Sequence, residues 1–155
     1  MCAGLWGAGF RVNVTDSMPV GIYRIVSGAP ERGDYVRFCS GSETAGLALA
    51  RGYLRPGYCP SGARPLLKSL AGIAGDAVRV TPEGIYVNDV LQPASVALAR
   101  DKNGLPLAGA ALEERVPSGR ALLLAEHRGS FDSRYFGYVP LENLRRVREV
   151  VIWRQ

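Results

Sequence analysis

Ser17 and Lys68 are the two side chains of this chain whose types and settings suit the breaking of a peptide bond. Ser17 stands in Thr15-Asp16-Ser17-Met18-Pro19, after the extended run Arg11-Val12-Asn13-Val14. Lys68 stands in Pro65-Leu66-Leu67-Lys68-Ser69-Leu70-Ala71-Gly72, which runs on to Gly75-Asp76. A serine hydroxyl is a poor nucleophile near neutral pH and must give its proton to a base as it attacks. The only histidine, His127, lies between Glu126 and Arg128 and reads as part of a surface turn. Lys68 is the better base, because Leu66, Leu67 and Leu70 supply apolar surroundings that disfavour its ammonium form. Moving a lysine from about 10.4 to about 8 to 8.5 destabilises the charged form by roughly 3 kcal/mol, a cost within reach of burial. Each residue alone has a plainer reading: Ser17 as a turn serine beside proline, and Lys68 as a lysine snorkelling from a strand end.

A third segment, Ser130-Phe131-Asp132-Ser133-Arg134-Tyr135-Phe136-Gly137-Tyr138-Val139-Pro140, follows in order. From Asn13 to Leu144 the chain resembles the type I signal peptidases, and within them the TraF branch that processes conjugative pilin precursors. The TraF-like marks are Ser17-Met18-Pro19-Val20-Gly21-Ile22-Tyr23, an insertion bracketed by Cys39 and Cys59, and Gly84-Ile85-Tyr86-Val87-Asn88 before an alanine-bearing loop. Three departures from the general signal-peptidase pattern favour a dedicated enzyme: Pro19 directly after Ser17-Met18, Ser69 after Lys68, and Ala125-Glu126-His127-Arg128 in place of Gly-Asp-Asn-Arg.

The resemblance implies a serine endopeptidase with Ser17 as nucleophile and Lys68 as base. It further implies that Thr15 and the backbone N–H of Ser17 hold the oxyanion, that Ser130 orients the lysine amine, and that Asp132 and Arg134 brace the site. An extended substrate would join as an added strand. Asn13 and Val14 on one side, with Leu66 and Leu67 on the other, are the expected pocket walls, and small residues such as alanine are expected before the cut. The expected substrate is the pilin precursor of a mating-pair (type IV secretion) apparatus, cut at the periplasmic face of the bacterial inner membrane. The acyl-enzyme in such enzymes can be resolved by the pilin's own N-terminus to give a cyclic product. The expected partners are that precursor, the inner membrane surface and other mating-pair proteins. Three other readings stay open: a general signal peptidase, a self-cleaving repressor-like domain cutting at Ala3-Gly4 or Ala8-Gly9, and a non-catalytic part of a conjugation channel.

The cysteines Cys2, Cys39 and Cys59 show neither C-x-x-C nor zinc-ligand spacing, so neither a metal nor any other cofactor is expected. The TraF resemblance suggests that Cys39 and Cys59 pair in an oxidising compartment, leaving Cys2 over; two buried free thiols are the alternative. Closing that loop of about 20 residues would contribute roughly 3 kcal/mol. The net charge of +5 is scattered apart from Arg145-Arg146-Val147-Arg148. That cluster reads as a solvated basic face, or as one that meets lipid head groups, and not as a nucleic-acid site.

The elements that must position these residues are short. With 155 residues and 47% hydrophobic content the chain is expected to build one domain, and ten prolines with nineteen glycines favour turns over long helices. The predicted fold is mostly β, a signal-peptidase-like coiled sheet or barrel body with a short inserted helix. Strands are expected over residues 21–26, 34–38, 77–81, 85–87, 121–124 and 147–153. Helix is expected over 44–53 within a 40–60 insertion, and briefly over 141–144. Residues 93–114 are expected to form a mobile loop or small lobe. No run approaches the roughly 18 to 20 apolar residues of a membrane span. Residues 2–10 read as the remnant of an anchor, and at face value the chain reads as soluble.

Overall fold

The computed structural model describes residues 7–153. Cys2, the Ala3-Gly4 bond and most of the candidate anchor remnant lie outside the described residues. Among the described residues ten strands form two antiparallel sheets. The larger has seven strands in the order β1-β2-β10-β3-β4-β8-β9, comprising β1 (Phe10–Asn13), β2 (Gly21–Ile25), β10 (Arg145–Ile152), β3 (Tyr35–Phe38), β4 (Leu66–Ile73), β8 (Arg120–Leu124) and β9 (Val139–Pro140). The smaller holds β5 (Val78–Thr81), β6 (Gly84–Val87) and β7 (Val90–Leu91). The molecule is thus mostly β, as its turn-rich composition predicts.

β4 is the strand that matters most, and its sequence explains its place. Leu66, Lys68 and Leu70 alternate with the half-exposed Leu67 and Ser69, so the period of two turns the lysine inward with two leucines. β4 pairs with β3 on one side and β8 on the other. Leu66 and Leu70 pack with Val36, Phe38, Ala121, Leu123, Val139 and Leu144 in the first core cluster. Ala71, Val78, Ile85, Val87, Val116, Leu122 and Leu124 form the second, which links the two sheets. Lys68 is therefore set inside a sheet strand with its side chain buried, which does not suit the plainer reading of a lysine snorkelling from a strand end.

The cluster Arg145-Arg146-Val147-Arg148 is part of a strand. It lies in β10, hydrogen-bonded to both β2 and β3, with Val147 buried and the Arg146 guanidinium 3.1 Å from the Asp34 carboxylate. Arg145 and Arg148 alone stand exposed there.

Helix α1 (Ser42–Ala50) lies in the insertion, two residues ahead of its expected start, and seats itself only through Ala45 and Ala48. A Cys39–Cys59 disulfide closes the insertion at its base. Helix α2 (Ser133–Phe136) is a single turn, too short to show a period. Its start is fixed by Asp132, whose side chain accepts from the Arg134 N–H as an N-cap. A 3-10 turn occupies Leu141–Asn143. Residues 93–114 form no helix or named strand, only a bridge of Arg100 to Pro106, yet they are tied to the body. Arg51 donates to the Pro106 carbonyl, Tyr53 Oη to Asp101, and the Leu98 N–H to Tyr135 Oη. Among the described residues no helix is long and apolar enough to cross a membrane.

Candidate active site

The turn between β1 and β2 carries Ser17, and Asn13 builds that turn. Its side-chain amide donates to the carbonyls of Thr15, Met18 and Pro19, each at 3.0 Å. Its Oδ1 accepts from the Thr15 N–H at 3.2 Å and the Thr15 hydroxyl at 2.7 Å. Tyr23 Oη donates to the Pro19 carbonyl at 2.7 Å, and Met18 is buried beneath the turn. Gly21 then lets the chain cross β10: a Cβ there would stand 2.2 Å from the Val151 carbonyl oxygen. The Ser-Met-Pro-x-Gly run is thus a turn whose glycine is required by contact.

Lys68 reaches this turn from β4. Its Nζ is 3.4 Å from Ser17 Oγ and donates to Ser130 Oγ at 2.7 Å. The side chain is 2% exposed. Burial pulls its pKa down to about 8; Asp132 partly opposes the shift, and Arg134 adds to it. A neutral amine is therefore accessible near physiological pH, at hydrogen-bond reach of a serine hydroxyl.

The segment after β8 holds the third member. Arg134 and Asp132 are both fully buried, with Nε and one terminal nitrogen of Arg134 donating to the carboxylate at 2.8 and 2.7 Å. Asp132 also accepts from the Ala125 and Arg134 N–H groups. The remaining Arg134 donors reach the carbonyls of Ala94, Arg128, His127 and Ser130. A buried pair this fully bonded fixes the loop that presents Ser130, which is the circumstance in which burying two charges is tolerable.

Ser17, Lys68, Ser130 and Thr15 come together in one cleft of about 790 Å³, while Asp132 and Arg134 stand behind it. Thr15 Oγ1 is 3.5 Å from Ser17 Oγ, but its proton points to Asn13. All four expected pocket walls line the cleft. Val14 and Leu67 offer it more surface, while Leu66 also packs in the core and the Asn13 amide also braces the turn. His127 lines the cleft mouth, exposed, with Nδ1 accepting from the Gly129 N–H.

Several contributors escape sequence reasoning. Ser133 Oγ accepts from the Leu123 N–H and pins the α2 turn to β8. Tyr53, Phe131 and Tyr135 make an aromatic wall, with ring centroids 5.1 and 6.0 Å apart in succession. Ala94, with φ of 51°, turns its carbonyl to Arg134. Phe131, Ser133 and Tyr135 had a sequence signal, by standing in the segment that opens at Ser130; Tyr53 and Ala94 had none.

Residues 7–153 match the family described as signal peptidase, peptidase S26. A plasmid transfer protein TraF of Escherichia coli is 36% identical over 159 residues, covering 99% of this chain and 88% of the relative. A probable conjugal transfer protein TraF of Sinorhizobium fredii is 42% identical over 143 residues, 87% of this chain and 72% of the relative. A crystal structure of a signal peptidase I from Enterococcus faecalis V583 is similar with a TM-score of 0.44 and 22% identity, covering 77% of this chain and 96% of that one. With the match running from the first strand through the last, this chain belongs to the signal peptidase family, peptidase S26.

Proposed function

We propose that this chain is a membrane-associated serine endopeptidase that cleaves a conjugative pilin precursor, with Ser17 as nucleophile and Lys68 as general base. The observation that carries the reading is the buried Lys68 amine between two hydroxyls, 3.4 Å from Ser17 Oγ and 2.7 Å from Ser130 Oγ. In its neutral form the amine takes the Ser17 proton as Oγ attacks the scissile carbonyl carbon. The resulting ammonium then passes that proton to the leaving amine, the C–N bond breaks, and an ester links the acyl group to Ser17. Water, or an amine of the substrate itself, attacks the ester and restores the serine; attack by the pilin N-terminus closes a ring. Ser130 holds the Lys68 stem in place, and Asp132 and Arg134 hold Ser130. The backbone N–H of Ser17, with Thr15 once its hydroxyl turns from Asn13, steadies the oxyanion.

The substrate assignment is supported by the TraF names of the long relatives, and the periplasmic assignment by the disulfide, which persists in oxidising compartments. The family match also suits a general signal peptidase, and the TraF names of the long relatives favour the dedicated enzyme; the self-cleaving and scaffold readings gain no specific observation. Acid-quenched reaction with a pilin-precursor peptide, read by intact mass, tests the chemistry. An acyl adduct on the wild-type chain, absent from Ser17→Ala, is expected; turnover that persists in Ser17→Ala would overturn the assignment.

A further inference from the structure

Residues 99–107 double back on themselves beside the dyad. The Leu107 N–H donates to the Ala99 carbonyl and the Asp101 N–H to the Leu105 carbonyl, each at 2.9 Å, with Arg100 bridged to Pro106 between them. Within this small hairpin only Asp101 and Leu107 are not exposed, and neither core cluster takes a residue from it. Apolar burial therefore contributes little to its place. Yet Asp101 and Leu107 line the cleft that contains Ser17 and Lys68.

Polar contacts to the insertion hold it instead. One carboxylate oxygen of Asp101 accepts from the N–H groups of Asn103 and Leu105 at 2.8 and 2.9 Å and so shapes the tip. The other accepts from Tyr53 Oη. The Asp101 side chain is 3% exposed, so its charge needs donors, and the phenol supplies one from outside the hairpin. Arg51 donates to the Pro106 carbonyl on the return limb at 2.6 Å. Both donors come from the end of α1. There Gly52, with φ of 70°, reverses the chain, and the N–H groups of Gly52 and Tyr53 return to the carbonyls of Leu49 and Ala48. This glycine-terminated helix end, a Schellman motif, sets Arg51 and Tyr53 against the hairpin. The Tyr53 ring also packs 5.1 Å from that of Phe131, the neighbour of Ser130.

We infer that Tyr53, with Arg51 beside it, is a positioning residue for substrate: it holds the 99–107 hairpin as a wall of the cleft against which an extended peptide binds. The inference rests on the peptidase reading for its occupant. The root of the segment is held separately, since Arg134 donates to the Ala94 carbonyl and accepts at its own carbonyl from the Ala110 N–H. The tip can thus be released while Ser17, Lys68 and Ser130 keep their places. Its release weakens substrate binding and spares the chemical step.

Tyr53→Phe tests this, because it keeps the ring on Phe131 and removes only the hydroxyl; Arg51→Met repeats the test from the second contact. Each is checked for folding by thermal melting. Hydrogen exchange on the protein alone, read by mass spectrometry, should quicken across residues 98–107 by at least about 5-fold. Affinity is read by fluorescence anisotropy of a labelled pilin-precursor peptide on Ser17→Ala protein. Adding Tyr53→Phe to that protein should weaken binding about 10-fold, about 1.4 kcal/mol. With Ser17 restored, KM should rise by a similar factor, with kcat within about twofold of wild type and the pH profile unmoved. Faster exchange with unchanged affinity would leave Tyr53 a structural role only and overturn the inference, as would unchanged exchange. A loss carried by kcat with affinity intact would overturn it too. Binding that Tyr53→Phe weakens, without cleavage by wild type, would remove the peptidase reading and leave the wall standing. Cleavage with affinity indifferent to Tyr53→Phe would do the reverse, and a peptide neither bound nor cut would overturn both.

Discussion

At the scale of single residues, Lys68 links reactivity to stability with a definite sign. Under the proposed mechanism its neutral form is the working base, so kcat/KM should rise about tenfold per pH unit below the pKa of about 8 and level off above it. A profile flat from pH 6 to 9 under chemistry-limited turnover would remove lysine as the base. The same residue should weaken the fold. Its pKa is lowered from 10.5 to about 8, so between those values the unfolded chain binds more protons than the folded one and stability rises with pH. Below about pH 8 the whole cost is present, roughly 3 kcal/mol at 1.36 kcal/mol per unit. Lys68→Met should therefore abolish turnover yet stabilise the protein by about 2 kcal/mol at pH 7, once the lost bond to Ser130 is set against that cost. Denaturant melts at pH 7 and pH 10 check this: the gain should fade at the higher pH. Ser130→Ala should lower kcat by about 10- to 100-fold and disturb the pH profile, since it leaves a base that is no longer held. The chemical types of Ser17 and Lys68 were legible in the sequence. The role of Asn13 was not, because nothing in a linear run tells an amide facing a substrate from one folded back onto its own turn.

At the scale of elements, the β1–β2 turn and the insertion decide whether those side chains meet. Gly21→Ala should place a methyl group against the Val151 carbonyl, splay β2 from β10 and carry Ser17 away from Lys68. Loss of at least 90% of activity is expected, with a fall in thermal stability; an active, equally stable variant would show that the turn is set some other way. Reducing the Cys39–Cys59 bridge, which spans 20 residues, should cost about 3 kcal/mol in a denaturant melt with and without reductant. The strands with clear alternation or bounding turns were found within about one or two residues of their sequence limits, for example Gly21–Ile25 and Gly84–Val87. β4 was less visible, since its inward positions include a lysine, which breaks the apolar rhythm that marks a strand. The α2 turn had no period to read, and only its Asp132 cap and Ser133 anchor make it a helix.

At the scale of the whole molecule, the site exists because three distant parts of the chain converge: a hairpin turn, the middle of a central strand and the loop after β8. The 93–114 segment illustrates what the sequence withholds. Its polar, alanine-rich run carries no pattern, yet the Arg134 guanidinium, the Tyr135 hydroxyl and the Tyr53–Asp101 contact tie it over the cleft. Long-range contacts of this kind leave no periodic mark. The most direct test of the Ser17–Lys68 claim is co-expression of the protein with candidate pilin precursors, reading intact product mass for wild type, Ser17→Ala and Lys68→Ala. Loss of a terminal peptide with wild type alone is the predicted result, and a further deficit of one water would mark ring closure. Processing that continues in either variant, or unchanged precursor in all three with folded protein present, would contradict the account.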